Sequence, residues 1–300
     1  MRASPPVLLV LNPRSGSADP ERVVQAMRRR LGEVALVSPD DDGRLDAAVR
    51  AKIETLSPTL VVASGGDGTV SAVATAIAGL PIALGIVPSG TANLFAHELR
   101  IPLEIEAACE VIARGRRREV DTLEIAGRRC LCRIGWGIFA AVGRQTPQEA
   151  KQDLGTLAYL RSALPHLVEH EMLRIELEVD GHTVVTTGAG VMVTNISTIG
   201  LGELRWGDTV NPADGIADLF VLHASRLTEK LSVLWNTVVG RPDASMEVSH
   251  LPVRERVTVR TQPPSVVVAD GEVLEPGERT AWVRAASLTV CVPEDARRPA

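Results

Sequence analysis

The feature that most constrains this chain is residues 60–70, which have the sequence LVVASGGDGTV. The short apolar run that begins at Leu60 predicts a buried strand of a parallel sheet. Gly65, Gly66 and Gly68 follow, and because glycine has no Cβ, the backbone here can turn tightly and approach a ligand closely. Residues 70–78 are rich in alanine and valine and predict a helix. A glycine turn that leads into a helix N-terminus offers N–H groups to a phosphate.

Asp67 lies at the tip of this glycine turn, where a bare carboxylate would repel a phosphate. One interpretation places a divalent cation between the carboxylate and the phosphate, and a second lets Asp67 hold a sugar hydroxyl. A third interpretation is structural, with Asp67 as the capping residue of the following helix. The four residues Gly-Gly-Asp-Gly alone do not decide between these interpretations.

The first 120 or so residues alternate predicted strands with predicted helices. The strands are expected at 7–11, 34–37, 60–63 and 82–87, and the helices at 20–31, 45–56, 70–78, 94–99 and 103–113. This alternation predicts an open parallel sheet with helices on both faces. Ligands of such sheets bind at the carboxyl ends of the strands. The loops at Asn12, Gly65 and Gly90 should therefore lie together at one edge of the sheet.

Beyond residue 122 the pattern changes to short strands. Residues 173–179 alternate apolar and polar side chains, and the following Asp180-Gly181 is a strong hairpin signal. Further strands are expected at 120–125, 130–135, 184–187, 191–194, 219–222, 257–260, 266–269 and 288–292. We therefore predict an α/β domain over residues 1–122, completed by about 287–300, and an antiparallel β-sandwich or barrel over 123–286.

Composition excludes several classes of protein. A net charge of −5 and a pI near 5.8 argue against nucleic acid as a partner. No stretch approaches the ~20 apolar residues of a membrane span, so we expect a cytoplasmic protein. The four cysteines, at 109, 130, 132 and 291, have no redox or zinc spacing and are expected to be buried, reduced thiols.

Four motifs occur in order along the chain: Asn12-Pro13-Arg14-Ser15-Gly16, Gly65-Gly66-Asp67-Gly68-Thr69, Pro88-Ser89-Gly90-Thr91-Ala92-Asn93 and Asp270-Gly271-Glu272. Together they resemble the diacylglycerol kinase catalytic family, which includes bacterial soluble lipid kinases and is related to sphingosine and ceramide kinases. The resemblance spans nearly the whole chain. It implies an NAD-kinase-like domain followed by a β-sandwich, with ATP and magnesium in the cleft between them.

The resemblance also implies roles for individual residues. Glu272 would be the base on the lipid hydroxyl, and Asp67 and Asp121 would act with it in a water-linked magnesium network. Asp214 resembles a structural metal position of the second domain. The residues expected to hold the nucleotide are Asn12, Arg14, Ser15, Gly16, Gly65, Gly66, Gly68, Thr69, Ser89, Gly90, Thr91 and Asn93.

The chain departs from the family pattern at two positions. Leu94 stands where diacylglycerol kinases commonly have aspartate, which favours a ceramide or sphingoid lipid over diacylglycerol. Ala213 stands where an acidic residue often precedes Asp214, which weakens the metal position there. The expected activity is transfer of a phosphoryl group from ATP to a lipid hydroxyl at a membrane surface.

Two alternatives stay open, a soluble-substrate kinase of the NAD kinase type and a non-catalytic nucleotide- or lipid-binding protein. Whether the chain forms a homodimer is left open by the sequence.

Overall fold

A computed structural model describes residues 6–12, 19–38, 45–144, 172–198, 210–226, 229 and 247–294, without the side chains of 142–144. The chain divides into two compact units. The first comprises Met1–Val120 and Ala286–Ala300, and the second Asp121–Ala285. Each unit is described by itself below.

The first unit is a parallel sheet with helices in the connections. Its complete elements are β1 (Val7–Leu11), α1 (Pro20–Leu31), β2 (Val34–Val37), α2 (Leu45–Leu56), β3 (Leu60–Gly65), α3 (Asp67–Ala76), β4 (Ala83–Pro88), α4 (Leu94–Glu98) and α5 (Ile105–Arg114). The strand order is β2-β1-β3-β4, and the C-terminal part of β16 (Arg279–Val292) adds a parallel strand beside β4. β3 and β4 are buried along their whole length because helices cover the sheet.

Local signals set the ends of several helices. The Asp19 side chain accepts a hydrogen bond from the Glu21 amide at 2.9 Å, and Pro20 occupies the first helical position of α1. Gly32, with φ of 81°, ends the same helix in a conformation that favours glycine. These signals are local in the sequence, and the predicted bounds of α1 are confirmed.

The second unit consists almost entirely of antiparallel strands. Its elements are the end of β5 (Arg116–Ile125), β6 (Arg128–Cys130), β7 (Arg133–Gly137), α6 (Ile138–Arg144), β8 (Leu173–Val179), β9 (His182–Gly188), β10 (Gly190–Thr194), β11 (Ala217–Leu222), β12 (Val248–Val253), β13 (Arg256–Gln262), β14 (Val267–Ala269), β15 (Glu272–Leu274) and the start of β16. One layer has the order β16-β13-β8-β9 and the other β12-β11-β10-β7-β14-β15. Apolar residues of both layers, including Trp136, Ile175 and Val191, form one buried cluster. The predicted parallel domain followed by an antiparallel sandwich is confirmed.

Several predictions about elements are wrong in detail. The strand predicted over residues 130–135 is divided between two strands, β6 and β7. Helix α3 begins at Asp67 rather than at residue 70, because the Val70 amide donates to the Gly66 carbonyl oxygen at 3.1 Å and so closes a first turn that includes Gly68. The last strand begins at Arg279 rather than at residue 288. Strands β12 and β15 were not predicted. In β12, Pro252 obscures the pattern, and β15 has only three residues.

Two further outcomes concern membrane spans and cysteines. In the described part of the chain, no helix combines the length and apolar character needed to cross a membrane. All four cysteines are buried and none forms a disulfide, as predicted. Burial raises the pKa of the Cys109 thiol to about 11.

Candidate functional site

The two glycine motifs of the first unit touch through their backbones. The Ser89 amide donates to the Gly65 carbonyl oxygen at 3.0 Å, which continues the β3–β4 pairing into the loops. A Cβ added to Gly90 would lie 2.3 Å from the Gly66 Cα atom, far below any real contact. A Cβ added to Gly66 would lie 3.1 Å from the Gly90 Cα atom. The two loops can lie this close only because both positions are glycine.

Asn93 holds the second glycine loop closed on itself. Its Oδ1 atom accepts a hydrogen bond from the Gly90 amide at 2.9 Å, and its Nδ2 donates to the Gly90 carbonyl oxygen at 2.7 Å. The residue is buried and adopts a left-handed conformation with φ of 47°, which asparagine tolerates better than most residues. Both ends of the amide group therefore shape the loop, and the predicted nucleotide contact of Asn93 stays a prediction.

The loop after β1 is joined to the first glycine motif. The Asn12 amide donates to the Ser64 carbonyl oxygen at 3.2 Å, and its side-chain Nδ2 donates to Thr69 Oγ1 at 3.0 Å. Thr69 is buried, and a Cβ at Gly65 would lie 2.4 Å from its Oγ1 atom. Asn12, Gly65 and Gly90 thus meet at the carboxyl ends of β1, β3 and β4, where the sequence placed them.

Asp67 joins two helices. It occupies the first turn of α3, and its Oδ1 atom accepts a hydrogen bond from the Phe95 amide, in the first turn of α4, at 3.2 Å. The N-cap of α3 is Gly66, so the interpretation of Asp67 as the cap of its own helix is wrong. Asp67 instead supplies the acceptor that the N-cap residue of α4, Asn93, does not provide.

The other predicted nucleotide residues of the first unit differ in their surroundings. Gly68 is exposed, and a Cβ added there would meet nothing within 4 Å. Ser89 is buried, and Thr91 is exposed. Arg14, Ser15 and Gly16 lie outside the described residues. The sequence also predicts a helix over residues 154–168, and these residues lie outside the described part of the chain as well.

In the second unit, Asp270 fixes the turn that precedes Glu272. Its carboxylate accepts backbone hydrogen bonds from Leu131 at 2.6 Å and from Cys132 and Arg133 at 3.0 Å each. The Asp270 amide donates back to the Arg133 carbonyl oxygen at 3.0 Å. Sequence reasoning missed this role and treated Asp270 only as a turn residue. Asp180, in the Asp180-Gly181 turn of the same unit, accepts hydrogen bonds from the amides of Arg254, Glu255 and Arg256 in the same way.

Glu272, the predicted base, begins β15 and is exposed. Its carboxylate forms an ion pair with Arg128 of β6. Roughly half of each side chain is exposed, at 49% for Arg128 and 53% for Glu272. An exposed pair of this kind contributes only about 0–1 kcal/mol. The carboxylate can therefore exchange Arg128 for another partner at little cost.

Asp121, predicted to act with Glu272, is 2% exposed, and its joint action with Glu272 stays a prediction. Its Oδ2 atom accepts a hydrogen bond from the Gly215 amide at 2.7 Å, and its amide donates to the Pro212 carbonyl oxygen at 2.7 Å. Asp214 lies in the same loop as Gly215. The negative charge of Asp218 also acts on the Asp214 carboxyl group. Burial, followed by the negative charges of Asp121 and Asp218, raises the pKa of the Asp214 carboxyl.

Among the described residues, no group of three or more His, Cys, Asp or Glu side chains has the geometry to hold a metal ion. A magnesium ion can nevertheless be held by one or two carboxylates together with substrate phosphates and water. The single carboxylate of Asp67 beside the glycine loops fits that mode of binding. A site made of protein ligands alone around Asp214 is not assembled in the described residues, so the metal role of Asp214 stays a prediction.

Comparison with known proteins identifies two family profiles along the chain. Residues 6–125 match the diacylglycerol kinase catalytic domain, and residues 132–292 match the YegS C-terminal NAD kinase beta sandwich-like domain. A diacylglycerol kinase structure from Bacillus anthracis has a TM-score of 0.77 at 19% identity, covering 98% of this chain and 99% of that chain. At this level of identity the structure supports the fold alone.

Two relatives extend the comparison. An uncharacterized protein of Synechocystis is 29% identical over 89% of this chain, and the match spans 65% of that relative, less than two thirds of its length. A Pectobacterium atrosepticum protein named "Probable lipid kinase YegS-like" is 30% identical over 84% of this chain and 85% of its own length. The two profiles follow each other in the order of the two units described above. The chain therefore belongs to the diacylglycerol kinase catalytic family, in the group that carries the YegS-type C-terminal β-sandwich domain.

Proposed function

We propose that this protein is an ATP-dependent lipid kinase, which transfers the γ-phosphoryl group to a hydroxyl of a diacylglycerol, ceramide or sphingoid lipid. The observation that carries the proposal is the backbone contact between Gly66 and Gly90. Glycine at both positions leaves backbone without side chains where β3 and β4 end, and a phosphate chain needs such backbone. Relatives named as lipid kinases support the assignment of the acceptor.

The first unit supplies what a phosphate chain requires. The N-terminus of the ten-residue helix α3 carries the positive end of the helix dipole, and Gly66 at its N-cap has no side chain to occupy that end. The open space above Gly68 leaves room for a ligand at the same helix end. Phosphoryl transfer depends mainly on positioning and charge neutralisation, and both are available here.

Magnesium would be held by Asp67 and the phosphates. The bound ion would neutralise developing charge on the phosphoryl oxygens. The hydrogen bond from the Phe95 amide to Oδ1 orients the Asp67 carboxylate, so that its other oxygen has a defined direction. We propose Glu272 as the group that accepts the proton of the lipid hydroxyl. Asp270 would position it through its three backbone hydrogen bonds.

The chemistry of the acceptor predicts contact with a membrane surface. A lipid hydroxyl is presented by a bilayer or micelle, so turnover should rise when the acceptor is supplied in vesicles rather than as a dispersed short-chain analogue. Leu94, at the position of the first departure from the family pattern, is buried at the start of α4. Because the family pattern at this position favours the ceramide and sphingoid branches, such an acceptor is preferred over diacylglycerol in this proposal.

The deciding experiment measures ATP turnover on diacylglycerol, ceramide, sphingosine and NAD, with wild type and Asp67→Asn. Asparagine retains an oxygen that can accept from the Phe95 amide, so the fold should persist while turnover is lost. Glu21→Gln neutralises an acid in the first turn of α1 and serves as the matched control. Phosphorylation of NAD but of no lipid would replace the proposal with the soluble-kinase alternative. Absence of turnover on all four, with retained ATP binding, would favour the non-catalytic alternative.

A further inference from the structure

In the part of the chain that the structure describes, strand β9 lies at an edge of its sheet and lacks the protection that the other edge strands have. Among the described strands, those with a partner on one side only are β2, β6, β9, β12 and β15. β2 has four residues, β6 and β15 have three each with charged members, and β12 contains Pro252. Short length, charge and proline are the devices by which proteins block edge pairing.

β9 has seven residues, His182–Gly188, and contains no proline, no lysine and no acidic residue. Its middle residues are β-branched, which favours extended pairing. Val184 and Val185 are 40% and 52% exposed. The strand therefore has seven residues without a formal charge, and it exposes its two valines.

The hairpin geometry shows which backbone groups face outward. Asp180-Gly181 is a two-residue turn that joins Val179 to His182, and both turn residues have positive φ. In such a hairpin the flanking residues form a hydrogen-bonded pair, and the pairs alternate along the strand. Thr183 and Val185 are thus in non-hydrogen-bonded pairs with β8, and their N–H and C=O groups point away from it.

An independent contact supports this alternation and marks where the free edge ends. After Thr183 and Val185, the next residue in a non-hydrogen-bonded pair with β8 is Thr187. Its carbonyl oxygen accepts a hydrogen bond from His223 Nδ1 at 2.8 Å. That carbonyl therefore points away from β8, as the alternation requires. His223 is itself held by Ser249, whose Oγ lies 2.8 Å from Nε2. Edge pairing is blocked from Thr187 onward, which leaves Thr183 and Val185.

The geometry points to a second copy of this chain as the occupant of the β9 edge, paired antiparallel about a two-fold axis at Val184. Thr183 of each copy then faces Val185 of the other, and each pair makes two backbone hydrogen bonds. Val184 meets its own counterpart in a non-hydrogen-bonded pair. An uncharged strand can pair with itself without placing like charges opposite each other, whereas it offers nothing to select a charged peptide.

A pairing this short buries less than a standard interface of ~1,600 Å², so the dimer should be weak and depend on concentration. Sedimentation velocity from about 1 µM to about 500 µM should show a shift from monomer to dimer. Val185→Lys should weaken the dimer by about tenfold or more, because lysine on an edge strand opposes pairing. Val273→Lys, at a valine of β15 that is 55% exposed, is the matched control and should leave the dimer unchanged.

Thr183→Pro tests directly whether the Thr183 N–H group points away from β8. Proline removes an N–H group that β8 does not use, so the fold should persist while the dimer is lost. A monomer at every concentration, or a dimer that survives both Val185→Lys and Thr183→Pro, would overturn the inference.

A cysteine scan tests the register. Facing residues of a non-hydrogen-bonded pair have Cα atoms ~4.5 Å apart, within the range that a disulfide spans. Val184→Cys should therefore cross-link two copies under mild oxidation, and the native cysteines, all buried, should not interfere. Val185→Cys faces Thr183 and should cross-link much more slowly. Cross-linking of Val185→Cys as fast as that of Val184→Cys would refute the proposed register.

Discussion

The contact between Gly66 and Gly90 makes Gly90→Ala the most informative substitution in the first unit. The new Cβ would lie 2.3 Å from the Gly66 Cα atom and 2.9 Å from Asn93 Oδ1. Ordinary contact begins at 3.4 Å, so the loops must separate by about 1 Å. Both atoms belong to well-anchored parts of the structure, and neither can swing aside like the end of a long side chain.

The expected cost is that of overpacking, about 1–3 kcal/mol, which lowers Tm by about 2–4 °C for each kcal/mol. A shift of about 1 Å in the residues that position a substrate can reduce turnover by about 10²-fold. We expect the loss of activity to be larger than the loss of stability would explain, since the folded variant still dominates at 25 °C. Thermal unfolding and ATP turnover on the same preparation measure both effects.

Gly68→Ala is the matched control for the stability measurement, because its Cβ would meet nothing within 4 Å. It should keep or raise Tm, since alanine is favoured over glycine in a helix by about 0.5–1 kcal/mol. If the phosphates lie at this helix end, ATP affinity should nevertheless fall. Gly90→Ala with wild-type Tm and turnover would refute the reasoning from the loop contact.

Three further predictions concern the second unit. Glu272→Gln should lower kcat by about 10²–10⁴-fold while ATP affinity is retained. Measuring both on this variant and on Glu275→Gln as control tests it, and a wild-type kcat would remove Glu272 from the proton transfer. Asp270→Ala should destabilise the unit by about 3 kcal/mol or more, because three backbone N–H groups lose their acceptor, and denaturant unfolding should show a smaller loss for Asp270→Asn. Burial alone would raise the pKa of Asp180, but its three backbone donors hold it below the ordinary value. The resulting stabilisation is present above the unfolded pKa of ~3.9 and is lost as pH falls through the folded value. Unfolding free energies of Asp180→Asn should therefore lack this part of the pH dependence, and equal profiles for the two proteins would contradict it.

Much of the fold was predictable because its signals are local. Apolar runs such as that of β3, the Asp19 cap and the Asp180-Gly181 turn each act through neighbours in the sequence, and the structure confirms the elements they predicted. The start of β16 and the existence of β15 were not predictable in this way. Their strand conformation depends on pairing with residues that are distant in the chain.

The candidate site likewise has features that the sequence predicted and features that it did not. The residue types at Gly65, Gly66, Gly90 and Asn93 were sufficient to predict glycine loops at the carboxyl ends of parallel strands. Which of these residues act on a ligand and which act on the protein itself was not predictable. Asn93 bonds its own loop, Asp67 caps α4 rather than α3, and Asp270 holds residues 131–133, each through a contact that needs the folded chain.

The sequence by itself determined the order of strands and helices in the first unit, the change from a parallel to an antiparallel unit and the family to which the chain belongs. These follow from periodicity and from short motifs whose residues are adjacent. Only the tertiary structure decided that Gly66 and Gly90 touch, that the Asp121 carboxylate accepts from the Gly215 amide, and that β9 is an edge strand among the described strands. Hydrogen bonds and close contacts between residues far apart in the chain exist only once the strands are in register, so no local pattern can encode their partners.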